Sequence, residues 1–153
     1  MRIFLNDEYE EFALNILNYI DGAPLEITKP ITGTELIHLM EIKNLIRLLK
    51  KVFAFLALAI FLSLSLAKDY KKIFLYGIIL TFFIAVLLLI LPFDFLFYGM
   101  HLIAFSPGTW IFPQQATLYK TYPPEFFNAM FYFLIGIIIL LNSFFLFLFR
   151  FIY

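Results

Sequence analysis

Two histidines, His38 and His101, are the side chains of this sequence best suited to move protons, and the chain has no others. An imidazole with an unperturbed pKa of about 6.5 gains or loses a proton close to neutral pH, so it can act as a general base or a general acid. If both rings lie on one side of a membrane, they could share one pocket. The alternative is that each ring is an inert side chain at an interface.

A metal site is a second chemistry that these residues could support. Glu35 and His38 have the Glu-x-x-His spacing that di-metal carboxylate bundles use twice, but the chain contains one copy. His101, Asp94 and Glu125 are further donors, and two histidines are too few for a zinc site of three imidazoles. We therefore expect no metal. A metal-dependent membrane hydrolase that uses Glu35, His38 and His101 remains an alternative.

Nucleophilic catalysis by serine or cysteine has little support. Ser106, His101 and Asp94 supply the residue types of a triad, but no G-x-S-x-G turn surrounds Ser106, and Pro107 follows it. The chain has no cysteine, which excludes disulfides, thiolate nucleophiles and zinc–thiolate sites.

The composition indicates a protein that lies in lipid. The chain has 153 residues, of which 63% are hydrophobic and 14% charged, whereas about 25% of the residues of a soluble domain are charged. Its mean hydropathy is +0.95. Eleven Lys and Arg balance eleven Asp and Glu, so no basic surface for nucleic acid is expected. The predicted partner is therefore a lipid membrane.

Three apolar runs predict transmembrane helices. Residues 73–93 and 126–149 are uncharged over 21 and 24 positions, and about 20 residues suffice for a helix to cross the hydrocarbon of a bilayer. A shorter run of 16 residues, 52–67, can extend to about 48–67 if Lys50 and Lys51 direct their ammonium groups to the interface. We predict three spans, at about 48–67, 73–93 and 126–149.

The chain divides into an outer cap, residues 1–51, and a membrane part, residues 52–153, which carries the outer loop 94–125. Apolar residues recur at helical spacing over residues 6–22 and 35–51, so the cap is predicted to contain amphipathic helices, the second of which runs directly into the first span. The predicted fold class is an all-α integral membrane protein with three transmembrane helices and an extracytoplasmic helical and loop cap.

The orientation in the cell membrane follows from loop charges. Residues 68–72 hold three lysines and one aspartate, and short lysine-rich loops stay cytoplasmic, which places the cap and the loop 94–125 outside. Four basic residues within 43–51 then lie on the outer side, so the charge rule alone is nearly tied. The cap does not begin with a basic region followed by an apolar stretch, so we expect no signal peptide. We expect either that the first span carries the cap outward or that an upstream helix is missing from this chain.

Two segments resemble the signatures of one family of small membrane proteins. Residues 38–43, His-Leu-Met-Glu-Ile-Lys, resemble an H-x-x-D-V-K motif. Residues 100–105, 110–113 and 122–127 resemble a series F-H-x-x-x-F, W-x-x-P and F-P-x-x-F-F in the same order. These segments are similar to those of the lipoprotein intramolecular transacylases, and the resemblance extends over about residues 9–150.

The resemblance implies an enzyme. It implies four spans, the first of which has no counterpart here, an outer cap, and two catalytic histidines that map onto His38 and His101. It implies that an acyl chain moves from the sn-2 oxygen of a diacylglyceryl-cysteine lipoprotein to the α-amino group of the same cysteine, without a cofactor. The chain departs from the family pattern where Glu41 replaces an aspartate, Pro107 and Gly108 replace Asn-Asp, and Ala116 replaces an acid.

Five residues are predicted to support the pair. Glu41, one helical turn after His38, and Tyr98, three residues before His101, are candidates to orient the rings. Lys43 belongs to the first motif. The remaining two, Trp110 and Tyr122, are expected to wall the pocket.

Residue types alone do not assign the acid and the base. Our hypothesis makes His101 the base toward the amine and His38 the acid toward the departing oxygen. The main alternative is a non-enzymatic structural or partner protein of the membrane, in which changes of either histidine affect stability alone.

Overall fold

The structure is a computed structural model that describes residues 7–66 and 69–152, and every regular element among them is helical. A 3₁₀ turn, Asp7–Tyr9, precedes six α-helices: α1 Glu10–Asp21, α2 Gly33–Leu66, α3 Tyr70–Ile90, α4 Phe93–Ala104, α5 Thr117–Thr121 and α6 Pro124–Ile152. The predicted all-α class is confirmed for this part of the chain. The start of the predicted cap helix at residue 6 and the end of the predicted first span at residue 67 lie outside it.

The described residues form two compact units. One consists of the described part of Met1–Val52 together with Phe97–Asn128, and contains both histidines; we call it the histidine unit. The other consists of the described parts of Phe53–Leu96 and Ala129–Tyr153; we call it the apolar unit. Most of the segment predicted as an outer loop therefore packs with the N-terminal segment.

The core of the histidine unit joins α1, α2 and α5. Phe12 and Ile16 of α1 pack against Leu39 of α2 and Leu118 of α5, and all four side chains are buried. The apolar stripe predicted for the first cap helix is the face that makes this contact. The helix ends at Gly22, whose φ of 127° is accessible to glycine but not to most other residues.

A reciprocal cap begins α2. The backbone N–H and the hydroxyl of Thr32 donate to Oε2 of Glu35, at 2.7 and 2.9 Å, and the N–H of Glu35 donates back to the Thr32 hydroxyl at 3.3 Å. This is the capping-box arrangement, which satisfies backbone donors that a helix start leaves free. It fixes the first turn of the helix that carries His38.

The apolar unit contains long apolar helices with exposed side chains. Tyr70–Ile90 and Pro124–Leu148 are long and apolar enough to cross a membrane, which confirms two spans as membrane-compatible helices by length and composition. The first ends at Ile90, three residues before the predicted end. Pro92 is the reason, because it holds Leu91 in an extended conformation (φ −75°, ψ 138°).

Two further predictions concern the helix that leads into the first span and the loop 94–125. Residues 35–51 and the apolar residues after them form one unbroken helix, α2, as predicted. That this helix crosses a membrane stays a prediction. The segment 94–125, predicted as a loop, contains two helices, α4 and α5.

Candidate active site

The site is built around a buried pair of histidines on two helices of the histidine unit. His38 lies on α2 and His101 on α4, and their exposed fractions are 7% and 6%. The ring centroids are 6.0 Å apart and the ring planes differ by 26°. The structure therefore brings the two predicted residues to one place, where a single ligand can contact both rings.

Aromatic side chains surround the pair. The ring of Phe105 lies 4.6 Å from His38 and 5.0 Å from His101, the ring of Phe112 lies 5.5 Å from His38, and Trp110 lies 4.9 Å from His101. Burial lowers the pKa of both histidines, and the neighbouring His101 lowers that of His38 further. Both imidazoles are therefore held toward the neutral form.

A backbone contact fixes the tautomer of His101. Its Nδ1 lies 2.7 Å from the carbonyl oxygen of Phe97, one turn earlier on α4. Because a carbonyl only accepts hydrogen bonds, Nδ1 carries the proton, and in the neutral ring the lone pair belongs to Nε2. His101 is thus prepared to accept a proton at Nε2.

Glu41 is the carboxylate beside His38. Its Oε2 lies 3.8 Å from Nδ1 of His38, too far for a hydrogen bond, and this buried Nδ1 has no hydrogen-bond partner among the described residues. Glu41 instead accepts from the backbone N–H of Ser106 at 3.1 Å and from the hydroxyl of Thr109 at 2.6 Å. Burial alone would raise the pKa of Glu41, but the side chains of Ser106 and Thr109 and the backbone N–H of Ser106 outweigh it and lower the pKa.

A tight turn presents both donors to Glu41. The N–H of Thr109 donates to the carbonyl of Ser106 at 3.2 Å, and Pro107 and Gly108 occupy the central positions. The φ of Gly108 is 82°, as the third residue of a type II turn requires. The Pro-Gly pair that departs from the family pattern therefore forms the turn that holds Glu41.

Both histidines line a cavity of about 460 Å³. Ligand pockets of this size are usually apolar with a few polar groups that fix orientation. Apolar residues from α1, α2, α5, the start of α6 and the loop after α4 supply most of the wall. The lining residues whose side chains carry polar atoms are His38, His101, Trp110, Tyr119 and Tyr122.

The predicted supporting residues divide by location. Trp110 and Tyr122 line the cavity. Tyr98 does not supply the hydrogen bond of His101 Nδ1, which goes to Phe97; its ring meets Trp110 edge-on at 5.3 Å. Lys43 is not among the residues that line the cavity, and its ammonium lies 3.7 Å above the ring of Tyr19.

The carboxylate of Glu35 is engaged away from the histidines. Besides Thr32, it accepts the backbone N–H of Leu118 at 2.7 Å, and its side chain is buried. Among residues 7–66 and 69–152, no group of three or more His, Asp or Glu side chains is placed to hold a metal ion. Of the two residues with the Glu-x-x-His spacing, Glu35 caps α2 and His38 belongs to the site.

Sequence reasoning missed three contributors to the site: the Phe97 carbonyl, Thr109 and the ring of Phe105. The first is a backbone atom, which residue types do not reveal. Thr109 had a signal, because a Pro-Gly pair followed by a hydroxyl residue is a turn with a side-chain donor at its end. Phe105 also had a signal, because it is the last residue of the segment 100–105 that resembles F-H-x-x-x-F, but the motif does not show that its ring contacts both histidines.

The helices and the site together define a class of protein: a helical chain with membrane-length apolar helices and a buried histidine pair beside an apolar cavity. Comparison with known families finds a match to the lipoprotein intramolecular transacylase (Lit) family over residues 4–127. The chain belongs to this family. The match supports lipoprotein transacylase activity in general, a lipoprotein substrate and a membrane location. Comparisons with curated proteins and with solved structures found no match.

Proposed function

We propose that this protein is a membrane acyltransferase that moves the sn-2 acyl chain of a diacylglyceryl-cysteine lipoprotein to the α-amino group of the same cysteine. The observation that carries the proposal is the placement of His38 and His101, with ring centroids 6.0 Å apart, on the wall of one apolar cavity. The reaction converts an ester into a more stable amide, so it needs no cofactor. It needs one proton to leave nitrogen and one to reach oxygen.

His101 is suited to be the base. An α-amino group has a pKa of about 7.7–8 and must be neutral to attack the ester carbonyl. Because the Phe97 carbonyl holds the proton on Nδ1, the free lone pair of His101 is at Nε2. Nε2 takes the amine proton as the new C–N bond forms. Burial favours the neutral ring that this step requires.

His38 is suited to be the acid. The proton that His101 takes from the amine passes to His38, and the alkoxide left by the breaking C–O bond takes it from the His38 imidazolium so formed. Glu41, at 3.8 Å from Nδ1, is the negative charge that stabilises this imidazolium. Both rings are then neutral again, as they were before the reaction. Assistance of this kind typically contributes about 10²–10⁴-fold to the rate.

The cavity supports an intramolecular reaction. Its wall is mostly apolar, so it can accept an acyl chain, and both rings lie on that wall, where one substrate molecule can contact them. Holding the amine and the ester of one substrate close together can contribute several kcal/mol, about 7 or more in well-oriented systems. Because the acyl chain is transferred within one substrate molecule, the reaction does not need a covalent acyl-enzyme intermediate.

The proposal places the site on the outer face of the cell membrane. Lipoprotein substrates with diacylglyceryl groups lie in the membrane. The lysine-rich residues 68–72 favour the cytoplasmic side, so with three spans residues 1–51 and 94–125 are outside. The apolar side chains of α2 after residue 52, such as Phe53 and Phe61, are exposed in the structure. Their exposure supports the third span, because water would not favour them.

Mass spectrometry of a reporter lipoprotein tests the proposal. The host lacks its own N-acylating enzymes and expresses this protein or a variant, and the N-terminal lipopeptide of the reporter is analysed. We expect an N-acyl, lyso-glyceryl peptide of unchanged total mass with the wild type. His38→Gln and His101→Gln should each reduce its formation by 10²-fold or more. The matched control is Glu26→Gln, a change at an exposed position between α1 and α2.

Two outcomes would contradict the proposal. An unmodified diacylglyceryl peptide, with wild-type protein shown to be folded in the membrane, would favour the non-enzymatic alternative. Full activity in both histidine variants would be compatible with transacylase activity but would contradict the proposed role of the histidines in it. Each variant is checked for monodisperse elution in detergent, so that loss of folding is not mistaken for loss of chemistry.

A further inference from the structure

The hydroxyl of Thr109 has two acceptors within reach but one hydrogen. Its Oγ1 lies 2.6 Å from Oε2 of Glu41 and 2.8 Å from the carbonyl of Ser106. The shorter distance is typical of a hydroxyl that donates to a carboxylate, and charge-assisted hydrogen bonds are the stronger kind. The hydrogen therefore goes to Glu41.

The oxygen that Thr109 holds is also the one that faces His38. Oε2 of Glu41 lies 3.8 Å from Nδ1 of His38, and a movement of about 1 Å would bring it within hydrogen-bond distance. The other oxygen, Oε1, accepts from the backbone N–H of Ser106. The carboxylate is thus anchored at Oε1, and the Thr109 hydroxyl decides where Oε2 lies.

We propose that Thr109 is a positioning residue for His38: its hydroxyl holds Oε2 of Glu41 in the turn and so keeps the carboxylate from closing on Nδ1. The type II turn of residues 106–109 is the device that places this hydroxyl. A carboxylate in direct contact would bind the proton of His38 tightly and weaken the ring as an acid. At 3.8 Å the charge still favours the imidazolium but leaves Nδ1 without a strong acceptor.

Two titratable side chains face His38, Glu41 on its own helix and His101 on α4. Tyr119 and Tyr122 line the same cavity. Removing the hydroxyl in Thr109→Val keeps the shape of the side chain and releases Oε2. The consequence is specific: the pKa of His38 rises, by about one unit for a carboxylate that moves from 3.8 Å to contact.

The test is a ¹⁵N NMR titration of histidine-labelled full-length protein in detergent micelles. The chain has two histidines, and a His101→Gln sample assigns their signals. We expect Thr109→Val to raise the pKa of His38 by about one unit and Thr109→Ser, which keeps the hydroxyl, to leave it unchanged. In the Glu41→Gln background, Thr109→Val should cause no rise, because the carboxylate is absent.

Three results would overturn the proposal: an unchanged pKa in Thr109→Val, a rise that persists in the Glu41→Gln background, or a rise in Thr109→Ser. Gly108→Ala is a second variant if the valine protein does not fold. Its added Cβ meets no atom within 4 Å, but its φ of 82° is unfavourable for alanine, so the turn should shift and the pKa of His38 should rise.

The mechanism behind the inference rests on the proposed function, but the titration does not. In the transacylation assay the low-pH limb of kcat/KM should move upward by the same amount in Thr109→Val and remain in place in Thr109→Ser. If the wild type fails to acylate the reporter, the proposed function falls while the NMR result stands. If the NMR pKa does not move, the role of Thr109 falls and the transacylase proposal is unaffected.

Discussion

The rings of His38 and His101 lie nearly parallel, with centroids 6.0 Å apart, but their Nδ1 atoms have different surroundings. Nδ1 of His101 donates to the Phe97 carbonyl, whereas Nδ1 of His38 is buried without a hydrogen-bond partner in the described part of the chain. Two rings of one residue type are therefore made chemically unequal. This inequality allows one to serve as base and the other as acid.

Acidification should destabilise the protein through these rings. Burial lowers the pKa of both histidines below the usual value of about 6.5, so the unfolded chain binds protons more readily. The stability that this contributes is present above pH 6.5 and is lost as the pH falls through the lower pKa of the folded state. Thermal unfolding, followed by the fluorescence of the single tryptophan, should show a lower Tm at pH 5 than at pH 7.

The histidine variants give the control for this pH effect. His38→Gln has no titrating ring at that position, so its Tm should fall less between pH 7 and pH 5 than that of the wild type. An equal fall in both proteins would mean that other groups cause the acid sensitivity. Glu41 affects the stability at a lower pH than the histidines do, since its pKa lies below the usual carboxyl value.

Glu35→Ala should destabilise the histidine unit strongly. The change leaves the backbone N–H groups of Thr32 and Leu118 without their acceptor inside the protein, and each such loss costs about 1–3 kcal/mol. We expect a loss of about 3 kcal/mol in the free energy of unfolding, measured by denaturant titration in detergent. Glu26→Ala, at an exposed position, should change it by less than about 0.5 kcal/mol.

A variant of Glu35 also distinguishes the transacylase proposal from the metal-dependent alternative. If activity of the folded Glu35→Gln protein disappears while its structure is retained, Glu35 acts in the reaction, as the metal-dependent alternative requires. We expect the opposite: activity that follows the folded fraction. The measurement is reporter acylation per folded protein, with the folded fraction taken from detergent elution profiles.

Tyr122→Phe should leave the reaction largely intact. Burial raises the pKa of Tyr122 to about 12, so the phenol stays protonated at neutral pH and does not exchange its proton in the cycle. Its hydroxyl donates to the carbonyl of Ala13 at 3.0 Å, and losing that bond costs about 1 kcal/mol. Tyr122→Ala, which also removes the ring from the cavity wall, should cost about 3–5 kcal/mol.

The comparison of the two tyrosine variants locates the effect. A Tyr122→Phe protein that is stable but inactive in the reporter assay would assign a chemical role to the hydroxyl and contradict this prediction. Unfolding is followed in the same detergent for both variants, so that their stabilities can be compared directly.

Cysteine labelling can establish whether α2 crosses the membrane. The chain has no cysteine, so single variants carry the only thiol. We expect Glu26→Cys to react with a membrane-impermeant maleimide in intact cells, and Asp69→Cys to react only after permeabilisation. Equal labelling of both would mean that the helix Gly33–Leu66, which separates them, does not span.

Periodicity and composition were enough to predict most helices, because they depend on local patterns. The apolar stripe of α1 predicted the face that packs on Leu39 and Leu118, and uncharged runs predicted α3 and α6. A boundary was misjudged at Pro92, where one local rule overrides a long apolar run. The helices α4 and α5 were not predicted, because Pro107, Pro113, Pro123 and Pro124 limit helix in the segment 94–125; all four prolines lie outside these two elements.

The sequence by itself determined which chemistry is available: two imidazoles, no thiol and a chain rich in apolar residues. It also contains the two segments that resemble the family motifs, and each histidine lies in one of them. Only the tertiary structure decided the surroundings of each ring, because the burial of the pair, the hydrogen bond from Thr109 to Glu41 and the 3.8 Å gap between Glu41 and His38 depend on how the chain packs. Residue types set the possible donors and acceptors, and distance selects among them.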